Sequence, residues 1–341
     1  MLKILYGISP IGLGHATRSI VVVRELMRKG ADVRVFSGGK AAEFIRQGGL
    51  PVDSMVEDVV PRVVDGEMRG VAWWYLRSWL AQRRNVRRVA RLFESYGPDV
   101  VVCDEEFSGM AVAGERGVRR AFISDELELG FARGWLARRI EKRVEGWYKR
   151  LQGSVELLII PDDGEDSGNR RYVGPIVRAP TMSRDEARRR YGLPAGKIVL
   201  FSMSGSGVGR ELLEKAVAAV GRTGIPDLHM VVTGNRGERL GGGNVLDLGV
   251  VLDNQDLVQC ADLVISTAGK STIDEAAAAG TPIVAIPIRH HVEQERNAAA
   301  LGYSADDSQR LEALIDDKLG RREKPRTFVG EEVASRLILA L

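Results

Sequence analysis

The segment between Ala261 and Asn297 has the clearest pattern in the chain, because two short apolar runs flank an alanine-rich stretch. The pattern predicts a strand, a turn, a helix, a terminating glycine and a second strand, at residues 261–266, 267–272, 273–279, 280 and 282–286. Such a unit is typical of α/β proteins with parallel sheets. Ligands bind these sheets at the carboxyl edge, where the helix begins. We therefore expect this segment to contain a ligand site.

Polar groups gather at the start of the predicted helix. The residues that combine free backbone N–H groups with hydroxyl and ammonium groups there are Gly269, Lys270, Ser271 and Thr272. Such a turn suits a phosphate or a diphosphate. Glu275, one turn further on, would repel phosphate but can accept hydrogen bonds from two ribose hydroxyls. The segment therefore predicts a nucleotide site.

Gln294 and Asn297 lie three residues apart and share one face of the next predicted helix. They complete an ordered set consisting of Gly269, Thr272, Glu275, Gly280, Pro282, Pro287, Gln294 and Asn297. This set resembles the donor-nucleotide signature of GT-B glycosyltransferases of the MurG type, the family 28 UDP-N-acetylglucosamine transferases. The resemblance implies an α/β fold of two Rossmann-like domains with the nucleotide-sugar cleft between them. It also implies that Glu275 holds the ribose, that the helix turn holds the diphosphate and that Gln294 contacts the transferred sugar.

Composition agrees with a globular chain of two domains. The chain has 341 residues, of which 28% are charged and 44% hydrophobic. No apolar run approaches the ~18 residues of a membrane span, and the opening residues predict a buried strand rather than a signal peptide. Cys103 and Cys260 are predicted to be reduced core residues without metal-ligand spacing. We expect a cytoplasmic protein with no metal and no cofactor, for which a UDP-sugar is the substrate.

Charge is distributed unevenly along the chain. Residues 1–150 contain 26 Lys and Arg against 19 Asp and Glu, whereas residues 151–341 contain 23 against 27. The tryptophans all lie in the basic half, at positions 73, 74, 79, 135 and 147. We expect this half to face an anionic partner, which we take to be a membrane surface rather than nucleic acid.

A glycine-rich turn follows the first predicted strand and leads into a helix, with Gly12, Gly14 and His15 at its centre. A nicotinamide-type G-x-G-x-x-G site is not expected, because Thr17 stands where the third glycine would be. The turn resembles the N-terminal glycine-rich loop of the MurG-type enzymes, which implies acceptor binding at Gly12 and Gly14. It also resembles the G-x-G-H turn of a related nucleotide-sugar hydrolase.

The middle of the first domain departs from the family pattern. Residues 130–136 resemble the helix start that borders the active cleft, and the family places an Asn nine residues before its Trp. Glu126 occupies that position here, so we expect it to contact an acceptor or sugar of a different kind. The contiguous carboxylates of residues 104–106 do not form an Asp-x-Asp metal motif.

Further donor contacts are predicted in the second domain. A second glycine-rich turn at Gly205, Ser206 and Gly207 allows the backbone to approach a diphosphate closely. The remaining contacts are implied by the resemblance: Arg178 to the diphosphate and backbone groups near Leu252 to uracil. Of the adjacent His290 and His291, we expect one to contact donor phosphate. Asn297 is expected on the same donor surface.

The same resemblance sets the domain boundaries. The N-terminal, acceptor-binding domain is expected at residues 1–175 and the C-terminal, donor-binding domain at 176–327. Residues 328–341 are predicted to form a helix that crosses back to the first domain.

Inverting transfer of a sugar needs a base for the acceptor hydroxyl and stabilisation of the departing diphosphate. His15 is the leading base, because an ordinary histidine pKa near 6.5 suits proton abstraction at neutral pH. The alternative is that His15 caps the turn or binds an acceptor phosphate. Asp104 and Glu126 are the reserve bases.

The same residues allow other functions. A nucleotide-sugar hydrolase would use His15 to activate water, and a nucleotide-sugar epimerase shares the fold without an acceptor. A third alternative is a module that binds sugar nucleotides without catalysis. A surface that is both apolar and basic favours a transferase with a lipid-linked or other glycan acceptor.

That surface is predicted on two helices of the basic half. In residues 68–93 one stripe is basic, at Arg77, Arg84, Arg88 and Arg91, and another is apolar, at Tyr75, Trp79, Val86, Val89 and Phe93. In residues 131–151 the apolar positions are Leu136, Ile140, Val144, Trp147 and Leu151, beside Arg139, Arg143 and Arg150. Tryptophan beside arginine suits an anionic lipid interface. We therefore expect a protein peripheral to the inner face of the membrane, unless the apolar stripes only pack on the sheet.

Overall fold

A computed structural model describes residues 1–57, 59, 62–64, 67–69, 71–125, 135–203, 209–235, 241–289 and 291–341. The chain divides into two compact units. Unit 1 comprises Met1–Ile176 and Phe328–Leu341, and unit 2 comprises Val177–Thr327. Each is an α/β unit around a largely parallel sheet, so the predicted pair of Rossmann-like domains is confirmed.

Unit 1 alternates strands and helices along the chain. Its strands are β1 (Lys3–Ile8), β2 (Asp32–Ser37), β3 (Val52–Ser54), β4 (Arg62–Val64), β5 (Glu67–Arg69), β6 (Val100–Asp104), β7 (Arg119–Ile123), β8 (Leu157–Ile160) and β9 (Arg170–Tyr172). Its helices are α1 (Gly14–Arg28), α2 (Gly39–Gln47), α3 (Val71–Tyr96), α4 (Phe107–Arg116), α5 (Trp135–Ser154) and, at the C-terminus, α12 (Gly330–Leu339). Helix α12 packs on α1, and Lys29 Nζ donates to Ser335 Oγ at 3.1 Å.

The unit 1 sheet is parallel throughout, in the order β3-β2-β1-β6-β7-β8-β9, while β4 and β5 form a separate antiparallel pair. In this register Ile8, Asp104 and Ile123 lie side by side, so β1, β6 and β7 end level with one another. Packing above the strands is close: a Cβ on Gly7 would lie 2.5 Å from the Phe36 ring, and one on Gly109 would lie 2.6 Å from Cys103 Sγ. The residues that follow the three strand ends therefore share one small region.

Unit 2 has a second sheet with the order β12-β13-β11-β10-β14-β15. Its strands are β10 (Lys197–Ser202), β11 (Leu228–Thr233), β12 (Gly241–Gly242), β13 (Val245–Gly249), β14 (Leu263–Ser266) and β15 (Ile283–Ala285). Its helices are α6 (Arg184–Arg190), α7 (Arg210–Arg222), α8 (Asn254–Cys260), α9 (Lys270–Ala279), α10 (Val292–Ala300) and α11 (Leu311–Lys318), with a 3₁₀ turn at Ala305–Gln309. The strands pair in parallel except for the short β12.

Helix α9 begins three residues earlier than the sequence pattern predicts. Gly269 has an extended backbone (φ −69°, ψ 131°) and is the N-cap, so Lys270 to Thr272 belong to the first helical turn rather than to the loop before it. The helix ends as predicted at Gly280, whose φ of +65° favours glycine. Within the described residues, no helix is both long enough and apolar enough to cross a membrane.

Gly280→Ala should destabilise unit 2, because the new Cβ would lie 2.4 Å from the Glu323 carbonyl oxygen. We expect the free energy of unfolding to fall by about 2–5 kcal/mol, the combined size of left-handed backbone strain and steric displacement. Gly302→Ala is the matched control: its φ is +79° but no atom lies within 4 Å of the added Cβ, so only about 1–2 kcal/mol should be lost. Urea unfolding followed by circular dichroism measures both, and equal losses would contradict the predicted contact.

Candidate functional site

His15 is the second residue of α1 and lies beside the end of β6. Its Nδ1 is 2.9 Å from Asp104 Oδ1, and Asp104 is completely buried. The turn that leads to it depends on Gly12, whose φ of +76° favours glycine, and Gly14 is the first helical residue. The Ser9 amide donates to the Asp104 carbonyl oxygen at 2.9 Å, which ties the turn to β6.

The Asp104 carboxylate accepts four hydrogen bonds from one face of α1. Arg18 donates to both oxygens, from Nε to Oδ2 at 2.8 Å and from Nη2 to Oδ1 at 2.6 Å. Ser19 Oγ donates to Oδ2 at 2.7 Å, and His15 donates to Oδ1. Burial alone would raise the pKa of Asp104, but Arg18 and His15 outweigh it and hold that pKa well below its usual range. Its two partners therefore favour the ionised form of Asp104.

The hydrogen bond to Asp104 also determines the state of the His15 ring. A bond to a carboxylate requires the proton on Nδ1, which leaves a lone pair on Nε2 of the neutral ring. Burial would lower the pKa of His15, but the Asp104 charge raises it, and the pKa ends above its ordinary value. One fifth of the side chain is exposed. This arrangement is chemically suited to general-base catalysis.

The two carboxylates after Asp104 have separate partners. Glu105 has a left-handed backbone (φ +47°), and its Oε1 accepts from Tyr148 Oη at 2.8 Å and Ser124 Oγ at 3.2 Å. Glu106 is the N-cap of α4, where it accepts from the amides of Ser108 and Gly109 at 2.9 and 2.7 Å. Burial raises the pKa of both Glu105 and Glu106. The sequence pattern alone does not distinguish these roles.

In unit 2 the predicted ribose residue is the centre of a polar network. Glu275 is 5% exposed, and its Oε1 accepts from Arg178 Nη2 at 3.0 Å. Asn254 Nδ2 donates to Oε2 at 3.3 Å, and Arg178 Nη1 donates to the Leu252 carbonyl oxygen at 2.5 Å. Asn254 also contacts the ends of β10 and β11, since it donates to Ser202 Oγ and accepts from Thr233 Oγ1. Three predicted donor residues, Arg178, Leu252 and Glu275, therefore lie together.

The N-terminus of α9 lies at the carboxyl end of β14. Gly269 is the N-cap and has no side chain with which to cap the helix, and Lys270, Ser271 and Thr272 lie in the first turn. The Lys270 ammonium bonds both oxygens of Asp274 at 2.7 Å. Such a turn has the N–H groups that bind a diphosphate.

Gln294 and Asn297 are both buried on α10, and each bonds a backbone group. Asn297 Nδ2 donates to the Ala268 carbonyl oxygen at 3.2 Å, and Ala268 has the left-handed φ of +58°. Gln294 Oε1 accepts from the Ile288 amide at 3.1 Å. His291 is the N-cap of α10.

Five residues of the predicted site lie outside the described residues: Glu126, Gly205, Ser206, Gly207 and His290. Three others that the sequence analysis missed belong to the networks above: Arg18, Ser19 and Asn254. A signal for the first two existed, because residues 15, 18 and 19 follow helical spacing from a candidate base. Nothing in the local sequence marks Asn254.

Two family models match the chain. One, described as Glycosyl transferase family 1, matches residues 2–120, and the other, described as Glycosyltransferase family 28 C-terminal domain, matches residues 241–306. The first contains His15 and Asp104, and the second contains the α9 turn, Glu275 and Gln294.

Individual glycosyltransferases are also similar to this chain. An uncharacterised glycosyltransferase of Methanopyrus kandleri is 32% identical over 230 residues, which cover 64% of this chain and 63% of that protein. The UDP-N-acetylglucosamine–N-acetylmuramyl-(pentapeptide) pyrophosphoryl-undecaprenol N-acetylglucosamine transferase of Leifsonia xyli subsp. xyli is 30% identical over 257 residues, covering 70% and 67%. The crystal structure of Acinetobacter baumannii MurG is similar in fold, with a TM-score of 0.60 and 12% identity over 99% of this chain and 100% of that one.

Asp104→Ala should destabilise unit 1 strongly, because it leaves the Arg18 guanidinium, only 11% exposed, without its main partner. Removing one member of a buried ion pair costs about 3–5 kcal/mol. Asp125→Ala is the control: Asp125 bonds the same guanidinium, but its side chain is 38% exposed, so about 1 kcal/mol or less should be lost. Tryptophan fluorescence during urea unfolding reports on unit 1, which holds every tryptophan. Similar losses in the two variants would show that Asp104 is not the central partner.

Proposed function

The chain belongs to the MurG-type GT-B glycosyltransferases, and from this membership we propose that it moves a hexose or N-acetylhexosamine from a UDP-sugar to a hydroxyl of a lipid-linked acceptor. The observation that carries the proposal is the His15–Asp104 pair at the sheet edge of unit 1. The name of the Leifsonia relative, which specifies UDP-N-acetylglucosamine and an undecaprenol-linked acceptor, supports the donor and the acceptor class.

The proposed reaction is a single inverting displacement. The acceptor hydroxyl gives its proton to His15 Nε2 while its oxygen forms a bond to the anomeric carbon of the sugar. The bond from that carbon to the diphosphate breaks on the opposite face, and UDP leaves with the electron pair. Asp104 keeps the ring oriented and stabilises the imidazolium that forms. Amides of the α9 first turn stabilise the departing diphosphate, so the step requires no metal.

The unit 2 network supports the donor half of the proposal. A carboxylate has about four lone-pair sites, and Arg178 and Asn254 take one each on Glu275. The remaining sites can accept from the two hydroxyls of a ribose. Arg178 and Asn254 thus orient the carboxylate.

Transfer is favoured over the two enzymatic alternatives. The Methanopyrus kandleri relative is named as a glycosyltransferase and the Leifsonia xyli relative as an N-acetylglucosamine transferase. An assay without acceptor distinguishes a transferase from a hydrolase, because a hydrolase releases free sugar from the donor in many turnovers under that condition.

We propose further that unit 1 meets an anionic bilayer through a set of exposed side chains, here called the apolar surface: Trp73, Leu76, Trp79 and Leu80 on α3, and Trp135 at the start of α5. Trp73 is 64% exposed and Trp135 is 75% exposed, which is unusual for residues of this size. The Arg83 guanidinium lies over the Trp79 ring at 4.6 Å, so a basic group accompanies the aromatic one. Aromatic and basic side chains together favour the lipid interface.

The predicted stripes require correction on the second half of α3. Val89 is buried, and Val86 and Phe93 pack against the same core, so that half of the apolar stripe faces the protein. Arg84 and Arg88 bond Glu57 at 2.6 and 2.9 Å rather than standing free. On α5, Leu151 packs on the core and the Leu136 side chain lies outside the described set. On α3 the exposed apolar groups therefore lie in the first half of the helix, and on α5 Trp135 and Trp147 are exposed.

Glu275→Gln should weaken UDP binding by about 1–3 kcal/mol, because it removes a charged acceptor for the ribose hydroxyls. The control is Glu214→Gln on α7, whose exposed carboxylate bonds Arg210. Calorimetry with UDP measures both variants. Unchanged affinity in folded Glu275→Gln protein would remove the ribose role.

His15→Ala should bind UDP normally but transfer sugar about 10²–10⁴-fold more slowly, the usual cost of a lost general base. His229→Ala, on β11, is the control. Both are assayed with UDP-sugars and polyprenyl-linked acceptors, and with no acceptor at all. A loss below tenfold would reduce His15 to a binding role, and multiple turnovers without acceptor would establish hydrolysis instead.

The protein should sediment with anionic liposomes and less with neutral ones, and added salt should release it. Each basic residue near an anionic surface contributes about 1 kcal/mol, which salt screens. Trp73→Ala/Trp79→Ala should lower the bound fraction severalfold, whereas Val250→Ala, an exposed apolar residue of unit 2, should not. Equal, salt-independent recovery in the supernatant with both lipids would overturn the membrane proposal and favour a soluble acceptor.

A further inference from the structure

Arg18 is held at three points beside the proposed base. Its Nε and Nη2 bond the two oxygens of Asp104, and its Nη1 donates to Asp125 Oδ1 at 2.5 Å. Asp104 terminates β6 and Asp125 follows β7. The guanidinium therefore joins α1 to two neighbouring strand ends, and its side chain is only 11% exposed.

Arg18 and His15 share a single acceptor atom. Asp104 Oδ1 accepts from His15 Nδ1 at 2.9 Å and from Arg18 Nη2 at 2.6 Å, and these two nitrogens lie 3.1 Å apart. Arginine has no acceptor atom, and Nδ1 carries the proton that it gives to Asp104. The 3.1 Å approach is therefore between two donors that converge on one oxygen. The negative charge of Asp104 is divided between a permanent cation and the imidazole.

We propose that Arg18 is a positioning residue for the transfer reaction: it fixes the Asp104 carboxylate against the His15 ring and takes up part of its charge, so that the ring stays a base instead of a permanent cation. A histidine paired with a buried carboxylate that lacks other partners would be protonated over a wider pH range, and only its neutral form can accept a proton from a hydroxyl. This inference rests on the proposed function for the reaction, but the coupling of Arg18 to His15 is measurable without any turnover.

The groups that face His15 determine whether loss of Arg18 raises or lowers the pKa of His15. Asp104 and Glu105 come from the end of β6 and favour the protonated ring, while Arg18, from α1, opposes it; Asp125, after β7, faces Arg18. Burial lowers the pKa of His15, Asp104 raises it, and Arg18 lowers it again. Loss of Arg18 should therefore raise the pKa of His15. Because only the neutral ring accepts a proton, the acid limb of the rate profile should move to higher pH.

Arginine is suited to this position because its planar guanidinium group presents several N–H donors in a fixed geometry. Two of its N–H groups match the two oxygens of Asp104 while a third reaches Asp125. A lysine would keep the charge but bond fewer of these atoms. Arg18→Lys thus separates the charge of Arg18 from its geometry.

The test measures the titration of His15 directly by two-dimensional NMR of the histidine side chains. The chain has four histidines, and His15→Ala identifies the signal. In Arg18→Met the His15 midpoint should rise by about one pH unit or more, the size expected when a charge within a few ångströms is removed. Arg18→Lys should fall between wild type and Arg18→Met. The control is Arg24→Met on the same helix, whose guanidinium bonds the Gly48 carbonyl oxygen, and it should leave the midpoint unchanged.

Kinetics give the second readout. In Arg18→Met the acid limb of kcat should move by the same amount as the NMR midpoint, while KM for the donor and UDP affinity stay constant, because the predicted donor residues lie in unit 2. A uniform loss of kcat at every pH, with an unmoved limb, is what a purely structural role would produce and would overturn the proposal.

Arg18→Met leaves Asp104 buried with fewer partners and could therefore fail to fold. A second pair of variants tests the same coupling in a background without the Asp104 charge. Asp104→Asn should lower the His15 midpoint, because Arg18 then faces the ring without the carboxylate. Adding Arg18→Met to Asp104→Asn should raise it again. An unchanged midpoint on removal of Arg18 in either folded background overturns the inference. Absence of transfer by wild type, with the NMR shift present, counts against the proposed function alone and supports the coupling.

Discussion

A carboxylate removed from water remains an ion only if the protein supplies its hydrogen bonds and an opposite charge. Asp104 is such a group, and the surrounding part of unit 1 is arranged to satisfy it. Helix α1 must approach β6 closely enough for His15, Arg18 and Ser19 to reach one carboxylate, and the glycine-rich turn before α1 makes that approach possible. A single buried charge thus joins α1 to the end of β6 and orients the candidate base.

Unit 2 also contains a buried carboxylate that accepts hydrogen bonds from an arginine and another side chain, but the described residues do not fill its hydrogen-bonding capacity. Glu275 is also buried, but it lies one turn inside α9, and among the described residues it accepts hydrogen bonds from Arg178 and Asn254. The Asp104 carboxylate accepts from four donors, which use its lone pairs. The Glu275 carboxylate has lone pairs left for further hydrogen bonds. The number of hydrogen bonds that each carboxylate accepts agrees with the role that we propose for it. Asp104 holds other side chains in place, whereas Glu275 retains capacity for a ligand.

Most elements were predictable because their signals are local. Apolar runs of four to six residues bounded by polar or glycine residues identified strands such as β8 and β10, and the helix-terminating role of Gly280 follows from its backbone freedom. The start of α9 was misjudged by three residues. Serine and threonine in the sequence resembled turn residues, but the N-cap is Gly269, and only the backbone dihedrals show where the helix begins.

The sequence by itself determined the α/β class, because that class depends on periodicity. Its ordered motifs carried the family resemblance, which implied two Rossmann-like domains, and they indicated His15 and Glu275 as candidate site residues. Tertiary structure decided which partners these residues have. Asp104, Glu105 and Glu106 are contiguous, yet one bonds α1, one bonds Tyr148 and one caps α4, since each faces a different element. Arg18 and Asp104 are 86 positions apart and meet only because β1 and β6 are neighbours in one sheet register. Burial and pairing between distant segments are set by packing, and no local pattern contains them.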